Sequence, residues 1–325
     1  MVIFFFAILI IGHEFGHFLA ARLVKIEVEE FGIGFPPRIF GKKFGKTLYS
    51  INWIPFGGFV KIPSLGADLD PKKKNTIAPA WKRAIVFISG VLFNFLIGWV
   101  AFSAVYSMGS PVGVYISRIV PDSPAAVAGF KSGDLLKDFS VSEDFITFVK
   151  QSPGKNISVK IDRSGAEKII SVSPKMNPEG IPQIGAEIID GGFERQPLFQ
   201  ALISGFNDAV SVCGRIFTAL LSMFRYFDFS ASVGPVALVS AISNANHLGL
   251  SRYLDLLGLV SLNLAILNIL PIPALDGGHL IFLAIEKIRR KPLALNRQMA
   301  INGLFFLLLL ALMFFVTIKD VITLF

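Results

Sequence analysis

Ile8-Leu9-Ile10-Ile11-Gly12-His13-Glu14-Phe15-Gly16-His17-Phe18-Leu19 sets two histidines and a glutamate inside an apolar run that extends from Met1 to about Val24. About 20 mostly apolar residues make a helix long enough to cross a bilayer, so the run predicts a spanning helix. Residues i and i+4 of a helix share a face, which puts His13 beside His17. Two imidazoles so placed can hold one Zn2+, with Glu14 within reach of a water at the metal. Zinc acidifies such a water, and a carboxylate can then take its proton. Ionisable groups inside an apolar helix are expensive unless they meet a metal, a partner or a water-filled cavity. That cost favours metal ligation over a pair of satisfied core histidines. The run has no basic start and leads straight into charged residues, which argues against a cleaved signal peptide.

The rest of the chain fits a membrane setting. Of its 325 residues 53% are hydrophobic, 32 of them Phe, and the mean hydropathy is +0.63, too apolar for an ordinary soluble domain. Three more spans are predicted, from about Ala84 to Tyr106, about Leu254 to Leu270 and about Met299 to Ile318. The net charge of +8 reads as a positive-inside bias rather than a nucleic-acid surface, because the basic residues flank the apolar segments. The stretch from Arg22 to Arg83, with Lys72, Lys73 and Lys74, and the stretch from Lys287 to Arg297 are therefore expected on the cytoplasmic side, and residues 107–251 outside. A single cysteine, Cys213, excludes an intramolecular disulfide and a cysteine-rich metal site.

Four parts follow: an N-terminal membrane part (1–106), an insert (107–192), an external amphipathic helix with a linker (193–250) and a C-terminal membrane part (251–325). Short alternating runs such as Val114–Val120 and Ile157–Ile161, punctuated by Gly, Pro, Asp and Ser, predict a β-rich insert from Pro111 to about Asp190. Leu198 to Phe227 reads as an amphipathic helix, lying on the membrane surface or in a partner's groove. Between the first two spans, Phe31 to Pro63 is rich in Gly and Pro, with Thr47–Trp53 and Gly58–Ile62 patterned as strands. It is either a shallow surface loop or a re-entrant β element whose open edge pairs with an unwound peptide.

A catalytic zinc takes three protein ligands and leaves a position for water. The best third ligand is Asp276, in Asn268-Ile269-Leu270-Pro271-Ile272-Pro273-Ala274-Leu275-Asp276-Gly277-Gly278. Two prolines break the helix there, and the glycines permit close backbone approach. His279 follows, either as a support behind a metal ligand or, on the blander reading, as a solvated residue at a helix start. His247 has no supporting context.

These motifs, in this order, resemble the site-2 protease family of intramembrane zinc metalloproteases, specifically its bacterial RseP-like branch. Pro121–Leu136 likewise resembles the helix-and-turn signature of circularly permuted PDZ domains. The resemblance spans nearly the whole chain. It implies a polytopic α-helical membrane protein of about four spans, with a re-entrant β element and one inserted PDZ-like domain. It implies His13, His17 and Asp276 as zinc ligands, Glu14 as general base, Asn268 on the substrate backbone or oxyanion with Asn263 assisting, and Gly57, Gly58 and Phe59 on the substrate strand. Asn94, in Ser89-Gly90-Val91-Leu92-Phe93-Asn94, fits a polar position facing the site, although relatives often carry proline after that glycine. The expected setting is a bacterial cytoplasmic (inner) membrane, with the PDZ-like domain outside and the active site near the cytoplasmic face. Partners would be the bilayer, transmembrane protein substrates such as anti-sigma-factor-like proteins or remnant signal peptides, and peptide at the PDZ-like domain, which otherwise acts as a size filter; no nucleic acid is expected. The rival readings are a non-enzymatic PDZ-bearing membrane scaffold, which leaves the histidine pair and Asp276 without a role, and a transporter, since intramembrane acids also mark ion paths. Against a transporter stand the lack of an inverted repeat and the count of only four spans.

Overall fold

A membrane-crossing chain must pair its backbone polar groups internally, so apolar runs of this length become helices. The computed structural model describes residues 2–65, 77–163, 165–177, 180–226, 234–247, 250–291 and 293–324. Lys72, Lys73 and Lys74 lie outside the described residues, as does the side chain of His247. Among the described residues, four helices are long and apolar enough to cross a membrane, at Val2–Leu23, Ala80–Met108, Leu250–Ile269 and Asn296–Ile322, matching the four apolar runs. The chain divides into two units, one of residues 1–102, 205–243 and 254–325 and one of residues 103–204 and 244–253.

In the first unit, helix α1 (Val2–Leu23) ends where Lys25 takes a left-handed φ of 58° and the Ile26 amide returns to the Ala21 carbonyl at 2.8 Å. The chain then forms two long strands, β1 (Glu30–Phe44) and β2 (Thr47–Lys61), joined by a turn at Gly45-Lys46. The stretch read from sequence as either a surface loop or a β element, with Thr47–Trp53 and Gly58–Ile62 as its strands, is thus almost wholly β. Glu30–Ile33 pairs on one side with Lys61–Gly58 and on the other with Leu48–Ile51, and Arg38–Phe44 pairs with Asn52–Thr47. Each strand therefore bends midway. The buried Asn52 amide holds the bend by donating to the Gly34 carbonyl at 3.0 Å. Ala20, Ala21, Ile26, Val28, Ile62 and Val86 form a buried cluster that anchors both ends of this hairpin to α1 and α2 (Ala80–Met108).

Close helix approach needs small residues. A Cβ at Gly16 would sit 2.6 Å from the Ser89 carbonyl oxygen, so α1 and α2 meet at that glycine. Farther along α2, Gly98 and Gly258 face each other's carbonyls and bring in α7 (Leu250–Ile269).

The second unit holds a five-stranded sheet in the order β6 (Ala166–Val172), β5 (Ile157–Arg163), β4 (Leu135–Leu136), β3 (Ser110–Ile119), β9 (Ala186–Phe193). Ile157, Val159 and Ile161 alternate inward against Val114, Ile116, Leu136 and Phe145. Two short helices, α3 (Pro124–Ala128) and α4 (Ser142–Lys150), and a two-stranded pair, β7 (Lys175–Met176) with β8 (Pro182–Gln183), complete it. Ser123 caps α3 through its side chain, and Gly129 ends it at φ 86°. Helix α5 (Leu198–Tyr226) leads back to the first unit.

There, α6 (Pro235–His247) has its first amides capped by Asp320 from α9 (Leu295–Leu324), with Oδ1 3.2 Å from the Gly234 nitrogen and Oδ2 3.0 Å from that of Ala237. Helix α7 stops before Pro271 and Pro273, and α8 (Asp276–Arg289) restarts at the aspartate itself. A side chain on Gly277 would strike the carbonyls of Ile269 and Leu270, so only glycine lets α8 fold back this tightly. Arg83 at the start of α2 pairs with Glu286 of α8 at 2.6 Å and also donates to the Ala78 carbonyl.

Breaking one partner of a buried pair leaves an uncompensated charge, so Arg83→Met should lower stability by about 3–5 kcal/mol. The double change Arg83→Met, Glu286→Met should recover most of that loss in a thermal melt. Additive losses in the double variant would show that the two groups act separately.

Candidate metal centre

His13 and His17 lie one helical turn apart on α1, and α8 delivers Asp276 to the same point. His13 Nε2 is 3.2 Å from His17 Nε2 and 3.2 Å from Asp276 Oδ2, and His17 Nε2 is 3.4 Å from that oxygen. A tetrahedral zinc site with bonds of about 2.0–2.2 Å has ligand-to-ligand edges of about 3.3–3.5 Å. The triangle therefore has the size of one face of such a site. It leaves a fourth position, the pattern of a catalytic rather than a structural zinc. Among the described residues, these three form the group of His, Cys, Asp and Glu side chains placed to share a metal.

The donor chemistry fits as well. His17 Nδ1 lies 2.7 Å from the Val86 carbonyl and donates its proton there, which leaves a lone pair on Nε2. Asp276 Oδ2 is buried and accepts no hydrogen bond. Electron pairs that converge without a proton between them repel, and a cation at the centre removes that repulsion. Position 90 is glycine for the same reason of space: a Cβ there would lie 2.5 Å from His17 Nε2 and 2.7 Å from His13 Cε1.

A cavity of about 360 Å3 opens on these three side chains. Glu14 lines it, with Phe59, Val60, Phe87, Asn268 and His279. The Glu14 carboxylate accepts from the Val60 backbone amide, and Gly58 packs against its side chain, where a Cβ would come within 3.4 Å. So β2, α1 and α8 meet at one place. Of the residues singled out in the sequence, the structure brings together His13, Glu14, His17, Asp276, Asn268, Phe59 and Gly58. Gly57 and Asn263 do not line the cavity; Gly57 packs against Phe35 at φ 120°, and Asn263 is exposed on α7.

Sequence reasoning left one support, His279, between two readings and passed over two others. His279 is not a solvated residue at a helix start: it stacks on Phe87, with ring centroids 4.8 Å apart and planes 8° from parallel. Burial holds its imidazole below the ordinary histidine range, so it is neutral at pH 7. Its position three residues after Asp276 on a helix was the available signal. Asn302 of α9 accepts from the Ala274 amide at 3.1 Å, where Ala274 takes a left-handed φ of 77°. The Arg83–Glu286 pair pins the far end of α8. Neither of the last two has a signal in the sequence, since each joins residues far apart in the chain.

A family model described as Peptidase family M50 matches residues 1–312. Full-length relatives agree. A Clostridium perfringens chain provisionally named a zinc metalloprotease is 32% identical, covering 98% of this chain and 96% of its own. Zinc metalloprotease RasP of Oceanobacillus iheyensis is 28% identical, covering 99% and 98%. Membrane metalloprotease ARASP, chloroplastic, of Arabidopsis thaliana is 28% identical over 97% of this chain and 77% of its own.

Gly90→Ala should push both imidazoles out of register and lower bound zinc by more than tenfold, an effect of the size seen when a ligand's support is lost. Gly214→Ala, on an exposed face with no neighbour within 4 Å, should leave zinc content unchanged. Metal analysis of the two purified variants checks the geometry.

Proposed function

The chain belongs to peptidase family M50, the site-2 zinc metalloproteases, and we propose that His13, His17 and Asp276 hold its zinc while Glu14 is the general base that cuts single-pass membrane proteins. The convergence of three lone-pair donors beside Glu14 in one cavity carries this reading. A non-enzymatic scaffold gives that convergence no purpose.

Zinc bound there supplies the Lewis acidity that polarises a carbonyl and acidifies water. Glu14 takes the proton of the attacking water and returns it to the leaving amine. Its carboxylate is aimed by the Val60 amide and shielded by Gly58 and Phe59. Asn268, on the cavity wall at the end of α7, is placed to donate its amide to the substrate carbonyl as charge develops.

The substrate must reach the site extended, because a helical peptide bond is shielded by its own hydrogen bonds. Among the described residues, Gly58–Lys61 has a strand partner on one side only, Glu30–Ile33, and it runs past Glu14. We read that free edge as the strand to which unwound substrate adds. The hairpin exposes Ile39, Phe40, Phe44 and Trp53, side chains suited to lipid, so we read it as re-entrant. The clustering of Lys and Arg between the first two spans and near α8 supports a cytoplasmic location for this face. We read the β-rich unit as an external PDZ-like domain, with the edge strand β9 open to a peptide or the fold as a whole acting as a size filter. Anti-sigma-factor-like proteins and remnant signal peptides are the proposed substrates.

Glu14→Gln should retain zinc and lose turnover of a model transmembrane substrate in detergent, by about 10²- to 10⁴-fold, the usual contribution of a positioned base. Full activity in that variant would rule Glu14 out as the base. Asn268→Leu should lower kcat by about 10²- to 10³-fold at unchanged zinc content, the effect of removing one oxyanion donor.

A further inference from the structure

The two histidine ligands are held in different ways. His17 Nδ1 is bonded to a main-chain carbonyl, that of Val86, at 2.7 Å. His13 Nδ1 has a side chain beside it: the Asn94 amide of α2, 3.3 Å away. Asn94 is 1% exposed. Its place is fixed from the other side too, because buried Ser261 of α7 donates to the Asn94 backbone carbonyl at 2.7 Å.

With Asn94 Nδ2 toward the imidazole, the amide oxygen Oδ1 is buried with no hydrogen-bond partner. An amide's oxygen and nitrogen are told apart by the groups they bond. His13 Nε2 faces Asp276 and His17. If Nε2 gives its lone pair to a metal, the neutral ring carries its proton on Nδ1. That Nδ1–H is a donor and cannot face a second donor. The amide must then present Oδ1 to the ring.

We propose that Asn94 is a positioning residue of the metal centre, whose side-chain carbonyl accepts from His13 Nδ1–H and so fixes the tautomer and ring angle that aim Nε2 at zinc. This rests on the reading of His13, His17 and Asp276 as ligands. It goes further by giving the first ligand a replaceable support where the second has a main-chain one. Metal-ligating histidines donate their other ring N–H to an oxygen, and loss of that partner weakens metal affinity about 10- to 100-fold. Leucine at position 94 keeps the volume and removes the acceptor. Aspartate keeps an acceptor, and its charge strengthens the bond.

The test is zinc affinity of the full-length protein in detergent, measured by competition with a chromophoric chelator, with thermal melts of the metal-free forms. Wild type, His13→Ala, Asn94→Leu, Asn94→Ala and Asn94→Asp are compared. The expected result is a loss of about 10- to 100-fold in Asn94→Leu and Asn94→Ala, and binding at least as tight as wild type in Asn94→Asp. Asn94→Leu or Asn94→Ala binding within about threefold of wild type overturns the proposal, since the support it removes is worth about tenfold or more. If neither folds, Asn94→Asp decides, and weaker binding than wild type overturns it. Equal zinc binding by wild type and His13→Ala would instead overturn the ligand set itself, which keeps the two failures apart.

Discussion

Electron-rich groups packed together away from water repel one another, and the arrangement of this protein turns on that fact. His13 and His17 turn Nε2, and Asp276 turns Oδ2, toward one small volume, with Glu14 at its rim. In an apolar setting such a cluster is unfavourable unless a cation is bound and every remaining polar atom has a partner. The surrounding structure supplies those partners. The Val86 carbonyl takes the His17 proton, the Val60 amide meets Glu14, and Asn94 stands beside His13.

Two of the three proposed ligands share one helix, so their spacing is set by helix geometry alone. The third is the demanding one, because Asp276 is more than 250 residues away in sequence. Its position depends on a chain of contacts: the glycine contact between α2 and α7, the tight return permitted by Gly277, the bond from Ala274 to Asn302, the stacking of His279 on Phe87, and the Arg83–Glu286 pair. The first seats α7 on α2, and the others hold α8 and the turn before it against α7, α9 and α2. None touches the metal position, yet together they set the third side of the triangle.

The hairpin after α1 answers a different requirement. Backbone at membrane depth must be paired or shielded, and the bend of β1 and β2, which pairs Glu30–Ile33 on both sides, fits the re-entrant reading. Among the described residues Gly58–Lys61 is left with a strand partner on one side only, its Val60 amide meeting Glu14. A hydrolase acting on an unwound segment needs both an extended guide and a base, and here both groups belong to adjoining elements.

The sequence by itself determined the four apolar helices, the β-rich insert, the histidine pair with its glutamate, and the choice of Asp276. Each of these is a local pattern: apolar length, an i, i+4 spacing, or a helix broken by prolines and glycines around one acid. What the tertiary structure alone decided was the continuity of β1 and β2, which of the substrate residues named from sequence line the cavity (Phe59 and Asn268 do, Gly57 and Asn263 do not), and the half-buried, stacked state of His279. Strand pairing, cavity walls and ring stacking are contacts between residues distant along the chain. They depend on how helices cross, and composition and periodicity carry no record of that.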